Sequence, residues 1–241
     1  PLPSDVREFA FELAVCAAME AESDGVIARQ LGTHSRIVDV VEVVPGPEFG
    51  DRIEITPEPI AGAAIESDVG VGRARRPADA FDTSPERAES IADRAVEVGF
   101  FQAERRGGRR YVRQTVRYPE WIGGLRAVEN KPDLGRPGDL ERQLRKDVSL
   151  ALFDEVVLVT GSYVTGAHLN RIPEEIGVRR FDADDGTFET VREPTRLPTG
   201  EGGIAILDEH PARAEIEPVT AAEKARLRRR IAERAYGKGW R

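Results

Sequence analysis

Gly124-Leu-Arg-Ala-Val-Glu-Asn-Lys131 reads as a buried strand whose far end carries a carboxylate and an ammonium two residues apart. On a strand the side-chain period is two, so Glu129 and Lys131 are expected to project from one face. Upstream, Arg36-Ile-Val-Asp-Val-Val-Glu-Val-Val44 is β-branched almost throughout and reads as a second buried strand. Its Asp39 has no packing reason to be there. If the two strands are neighbours, Asp39 and Glu129 can hold a divalent cation through oxygen ligands, with Lys131 beside the water that the metal activates.

This set resembles the PD-(D/E)XK nuclease superfamily, the restriction-endonuclease-like fold with a mixed sheet flanked by helices. Phe9-Ala-Phe-Glu-Leu-Ala-Val-Cys-Ala-Ala-Met-Glu20 resembles the family's first helix, with Glu12 as the glutamate that faces the site. Asp39 matches the acid of the second strand, and Glu129 with Lys131 matches the E-x-K. Asp139 to Thr160 resembles the next helix and strand, where Gln143, with Arg142 beside it, is expected to face the substrate. Ile172 to Asp182, Gly186 and Val191 to Pro194 resemble a closing hairpin. The resemblance implies an α/β fold and metal-dependent hydrolysis of phosphodiester bonds in nucleic acid, as in DNA repair or processing. It also implies Mg²⁺ or Mn²⁺ as cofactor, with Asp39 and Glu129 as ligands and Asp39, Glu129, Lys131 and Glu12 as catalytic residues. DNA is the expected partner, and a homodimer is compatible with the pattern. The alternative is a catalytically inactive relative that binds nucleic acid or regulates.

Two features depart from the family. Asp39 and Glu129 stand 90 positions apart, so an insertion must separate them, and Asp147 occupies the position where an aromatic often follows the glutamine. The core is therefore expected in residues 1–44 and 120–195, an insertion in 45–119, and a linker with a basic C-terminal helix in 196–241. Within the insertion, Ser84-Pro85 forms an N-cap and first helical turn, and Ala88, Ile91, Ala92, Ala95 and Val98 follow at helical spacing. Phe100-Phe101 then leads into a hairpin turning at Gly107-Gly108. Helix, apolar corner and basic hairpin resemble the last helix and wing of a winged-helix module; an ordinary α/β excursion is the other reading. The segment 45–80, with Glu66-Ser-Asp68, reads as a Pro-, Gly- and acid-rich linker.

The 241 residues are 40% hydrophobic, enough for one core and a small accessory unit, and the net charge is −8. Two segments run against that charge. Residues 104–117 hold six arginines against Glu104, and residues 221–241 hold eight cations against two acids. Either segment is a solvated face or part of a track for a polyanion, with Arg105, Arg106, Arg109 and Arg110 on the hairpin as phosphate contacts. Four of the 35 cations are lysine, against 43 acids, a balance suited to strong salt; the chain also resembles proteins of halophilic archaea.

No apolar run approaches membrane-spanning length and no charged-then-apolar leader is seen, which gives the expectation of a cytoplasmic protein. Cys16 reads as a small buried hydrophobe, and His34, His168 and His210 show no zinc-ligand spacing. Thr220 with Glu223 forms a capping box opening a helix whose stripe is Ala221 or Ala222, Ala225, Ile231 and Ala235. Beyond it Trp240 either docks on the core or stacks on a base.

Overall fold

The computed structural model describes residues 4–32, 37–53, 61–67, 69–70, 73–115, 120–135, 139–208 and 215–238. His34, Arg36, Asp68, Arg117, His210 and Trp240, which figure in the sequence reading, lie outside the described residues.

The chain opens with helix α1 (Ser4–Glu22), whose apolar positions Val15, Cys16 and Met19 are buried. Strands β1 (Val26–Gly32) and β2 (Ile37–Pro45) follow as an antiparallel pair. The chain then leaves the sheet through helices α2 (Phe49–Ile53), α3 (Gly62–Glu66), α4 (Pro77–Ala80) and α5 (Pro85–Glu97), and a hairpin of β3 (Phe101–Arg106) and β4 (Arg109–Gln114). It returns as β5 (Ile122–Asn130), antiparallel to β2. Next come α6 (Leu140–Leu150), β6 (Glu155–Thr160), α7 (Gly166–Leu169), β7 (Gly177–Asp182) and β8 (Thr187–Arg192). The sheet order is β1-β2-β5-β6-β7-β8, with β5, β6 and β7 parallel and β8 antiparallel to β7. The protein is thus α/β, with a mixed six-stranded sheet between helices.

The strand residues alternate between two cores as the pleat requires. Val40, Val128, Val157 and Val159 pack with Val15, Cys16 and Met19 of α1. Val41, Ala127, Val156 and Leu158 face the other way, into a larger core shared with Leu140 and Leu144 of α6. The strands are buried on both faces, so their sequences run Val/Ile/Leu with few polar interruptions.

Residues after β8 are more structured than a linker. Strands β9 (Gly203–Asp208) and β10 (Glu215–Val219) form a separate two-stranded ribbon beside α6, and α8 (Ala221–Lys238) then crosses the larger core. The expected stripe of α8 holds only in its second half. Ile231, Ala232 and Ala235 are buried, whereas Ala221, Ala222 and Ala225 are exposed and Lys224 is the buried residue of the first half, donating to the Pro198 carbonyl at 3.0 Å. Helical spacing identifies a face but not where along it the helix meets its neighbours.

The insertion has its own apolar cluster. Ala64, Val69 and Phe81 pack with Ala88, Ile91, Ala92 and Ala95 of α5, and with Phe100, Phe101 and Val112 at the hairpin base. Ser84 caps α5 by accepting from the Arg87 amide, and Gly107 and Gly108 turn the hairpin with φ of 56° and 76°. Both central residues at positive φ make the tight turn whose twist matches the flanking strands.

A buried arginine joins the insertion to the sheet. Arg52 pairs with Glu233 of α8, and its guanidinium lies over Tyr236, Trp121 and Phe100 at 4.3, 5.2 and 5.3 Å. Gln114 at the end of β4 donates to the same Glu233 at 2.8 Å. Since β2 leaves for the insertion at Pro45 and β5 re-enters at Ile122, the insertion is rooted at the opposite end of these strands from Asp39 and Glu129. From Ile122 to Glu129 is seven steps along β5, which is roughly 23 Å at the rise of a strand.

Candidate metal and phosphate site

The Glu129 end of β5 is the carboxyl end of the parallel strands, where ligands of open α/β sheets bind. The β2–β5 register runs from Pro45 to Val40, which lies opposite Val128. The paired register stops there; one more step would bring Asp39 level with Glu129, and the contact actually formed is that of the Asp39 carboxylate with the Asn130 amide. Directly opposed residues of an antiparallel pair have Cβ atoms about 4.5–5.5 Å apart, and like charges so placed destabilise each other. A shared cation removes that cost.

Asp39 is half-buried, and its Oδ2 accepts a 2.8 Å hydrogen bond from the Asn130 backbone N–H. Backbone amides lie in the plane of a sheet, so this bond places the Asp39 carboxylate near that plane. Glu129 is 4% exposed. It pairs in register with Leu158 of the α6 side, while Asn130 pairs with Val159 of the α1 side. The pleat therefore turns Glu129 toward the α6–α8 layer and Asn130 toward α1.

Lys131 lies one residue past the strand. Its amide extends the ladder to the Val159 carbonyl at 2.8 Å, and its ammonium lies 3.8 Å from Glu8 of α1. Glu129 turns toward the α6–α8 layer and the Lys131 ammonium toward α1, so the two do not project from one face as expected: the period of two ends with the strand at Asn130.

Glu12 does face the sheet, but its carboxylate is engaged. Arg29 donates to it at 2.7 Å and the Gln30 amide at 3.3 Å. Two consecutive residues of β1 reach one carboxylate because Gln30 has φ of 52°, a left-handed conformation that interrupts the pleat. The ladder pairs on either side, Arg29 with Val40 and Leu31 with Val38, bracket Gln30 and Asp39, so the kink sits beside Asp39 in the neighbouring strand. Nothing in the sequence marked Gln30. A non-glycine residue in this region costs roughly 1–2 kcal/mol, and such strain concentrates at functional positions.

The sequence reading offers the Asn130 backbone carbonyl as a further metal ligand but gives its side chain no role. Its Oδ1 and Nδ2 are both buried and have no hydrogen-bond partner among the described residues. Cys16, close enough to feel Glu12 and Asp39, has its thiol pushed up to about 12, first by burial, with these acids adding to it. It is an apolar packing residue at neutral pH and no nucleophile.

Other expected residues lie elsewhere. Gln143 and Arg142 are exposed on the outer side of α6, and Arg142 pairs with Asp139. The residues of α6 that turn inward are Leu140, Leu144 and Asp147, so the position missing its aromatic is filled by a buried acid. The helix phase set by Leu140 and Leu144 puts Gln143 on the rim. On the hairpin, Arg105, Arg106 and Arg109 are exposed, but Arg110 binds Glu89 at 2.9 Å and Asp93 of α5.

Hard oxygen donors at Asp39 and Glu129 suit Mg²⁺ or Mn²⁺ rather than zinc. Among the described residues no three His, Cys, Asp or Glu side chains gather into a metal site. An ion here would thus be held by two carboxylates, with water completing its shell. Among the described residues no helix is long and apolar enough to cross a membrane.

No curated protein and no solved structure matches the chain. The family described as Family of unknown function (DUF5787) matches residues 26–241, which span the sheet, the insertion and α8. The chain belongs to the DUF5787 family.

Proposed function

We propose that this protein is a metal-dependent nuclease of the PD-(D/E)XK kind. The observation that carries the reading is the hydrogen bond of the Asp39 carboxylate to the Asn130 amide, which brings it to the residue next to Glu129 at the carboxyl end of the parallel strands. The order α1, β1, β2, β5, α6, β6 supports it, since it follows the first helix, second-strand acid, E-x-K strand and next helix and strand of those enzymes. The short helices, α5 and hairpin of the insertion, with Arg75 bridged to Val112, support a winged-helix-like accessory unit.

Asp39 and Glu129 would hold Mg²⁺ or Mn²⁺, which would supply Lewis acidity and an acidified water. Lys131, on the α1 side, neutralises charge on a phosphate that reaches it past the strand end, with Glu8 as its counter-charge before substrate arrives. Glu12, fixed by Arg29 and Gln30, orders the kinked edge beside Asp39 and is not itself a metal ligand. The engagement of Glu12 by Arg29, and of Asp39 by the Asn130 amide, favours a second reading, a catalytically silent protein that binds nucleic acid.

Cleavage assays decide between them. Wild-type protein with Mg²⁺ or Mn²⁺ is expected to cut nucleic acid and to stop when the metal is chelated. Glu129→Ala or Lys131→Ala lowers the cleavage rate at least 100-fold, as expected for removal of a group stabilising charge in the transition state, while the circular-dichroism spectrum is unchanged. Binding without cleavage in every protein would establish the silent reading. Equal cleavage by wild type and Lys131→Ala would locate the activity outside this site.

A further inference from the structure

The two basic segments differ once folded. In α8, Lys224 is buried against the Pro198 carbonyl and Arg228 donates to Leu152 and Asp154, so these two cations serve the fold, while Arg226 and Arg230 of the same helix are exposed. In the hairpin, Arg105 and Arg109 are exposed and Arg106 is 62% exposed.

The hairpin register deepens the contrast. Arg105 lies directly opposite Arg110, and Arg106 directly opposite Arg109. Like charges opposed across a two-stranded ribbon destabilise it. Arg110 is relieved by Glu89 and Asp93 of α5, and Arg106 by Glu104. The cations nonetheless crowd the turn, where Gly107 and Gly108 carry no side chains and let the backbone approach a partner closely.

The outer face of α5 has the opposite sign. Glu86, Asp93 and Glu97 are exposed and Glu89 half-exposed, against Arg87 and Arg94, and Arg94 is paired with Glu97 at 2.6 Å. A polyanion is repelled along the helix and attracted at the hairpin tip.

We propose that the hairpin tip is a nucleic-acid contact that acts alone, gripping the duplex phosphate backbone through Arg105, Arg106 and Arg109 while α5 stays out of the grooves. Phosphates at regular spacing neutralise the opposed arginines, and a two-stranded ribbon is narrow enough for a duplex groove. Phosphate contacts carry no base information, so binding is independent of sequence. The inference rests on the reading of the chain as a nucleic-acid protein, and not on catalysis.

The test is a set of KCl titrations with duplexes of several unrelated sequences, comparing the wild type, Arg105→Ala/Arg106→Ala/Arg109→Ala, and Arg87→Ala/Arg94→Ala. Each phosphate contact contributes roughly 0.9 to the logarithmic salt slope, so the hairpin variant should lose about 2.7. The α5 variant should match the wild type, and affinity should not depend on sequence. An unchanged slope in the hairpin variant, a loss in the α5 variant, marked sequence preference, or equal affinity for polyglutamate of the same charge would each overturn the inference. Cleavage by Glu129→Ala is scored separately: a variant that binds like the wild type but does not cut leaves the hairpin inference standing and supports the nuclease reading. Cleavage in a wild type whose binding ignores the hairpin sinks only this inference.

Discussion

The hairpin of residues 101–114 and the helix of residues 221–238 look alike in composition, both being arginine-rich in an acidic chain, yet they occupy opposite physical situations. The hairpin projects its cations around a glycine turn, and its arginines face one another. The helix lies on the larger core and turns three of its charges inside, Lys224 on a carbonyl, Arg228 on Asp154, and Glu233 on Arg52 and Gln114, while Arg226 and Arg230 stay exposed. Charge density marks a candidate surface, and only the neighbours decide whether the charge is available to a partner.

The sharpest way to break this comparison is at Glu233, which is 5% exposed and neutralises Arg52 among three aromatic rings. Glu233→Ala leaves a buried guanidinium without its carboxylate, at a cost of about 3–5 kcal/mol. Urea unfolding would show it as a lower midpoint. A loss below 1 kcal/mol would mean that the rings alone hold Arg52.

A somewhat smaller effect is expected at Arg228, about 3 kcal/mol on truncation to Ala at neutral pH. Here pH adds a second readout. Burial pushes the Asp154 carboxyl up, but hydrogen bonds from Arg228, the Leu125 amide and Thr199 outweigh it and hold the group below the ordinary carboxylate range. A depressed carboxylate contributes its full stability above its unfolded pKa, about 3.9, and loses it as pH falls through the lower folded value. Wild-type stability should therefore drop on acidification below about pH 4, and the drop should be shallower or reversed in Arg228→Ala. Parallel curves for the two proteins would remove Arg228 as the cause.

The smallest effect belongs to the hairpin. Replacing Arg105, Arg106 and Arg109 by Ala should change stability by no more than about 0.5 kcal/mol, and a slight gain is expected because opposed like charges are removed. Thermal melts in low and high KCl check this, since the gain should vanish as salt screens the repulsion. A large loss would place these arginines with those of α8 as parts of the fold.

Much of the sheet was readable from the chain. The β-branched run before Val44 and the alternation ending at Glu129 identified β2 and β5, and the long gap between them required an insertion. The cap at Ser84, the spacing of Ala88 to Ala95 and the Gly107-Gly108 turn were equally legible, because each depends on residues close in sequence. β1 was not read, since Val26-Ile-Ala-Arg-Gln-Leu-Gly32 has a pleat broken at Gln30 and no clean alternation. The ribbon β9–β10 was taken for linker because its burial is slight.

At the candidate site, Asp39 and Glu129 stood out because acids are rare in β-branched strands, whereas the exposed setting of Gln143 follows from the packing phase of α6, which its spacing alone does not give. Glu12 was legible as inward-facing, but its joint engagement by Arg29 and Gln30 depends on a backbone kink at Gln30, eighteen residues away in β1.

By itself, then, the sequence determined the period of each regular segment, the strand carrying Glu129 and Asn130, the turn of the hairpin and the surplus of acid over base, all properties of neighbours along the chain. Tertiary structure alone decided that the Asp39 carboxylate meets the amide next to Glu129, that Arg52 lies between Glu233 and three rings, and that Lys224 and Arg228 of α8 point inward while Arg105, Arg106 and Arg109 of the hairpin point out. The reason is that an electrostatic contact depends on separation and burial in space, and residues 39 and 129 or 52 and 233 acquire these only when the sheet closes.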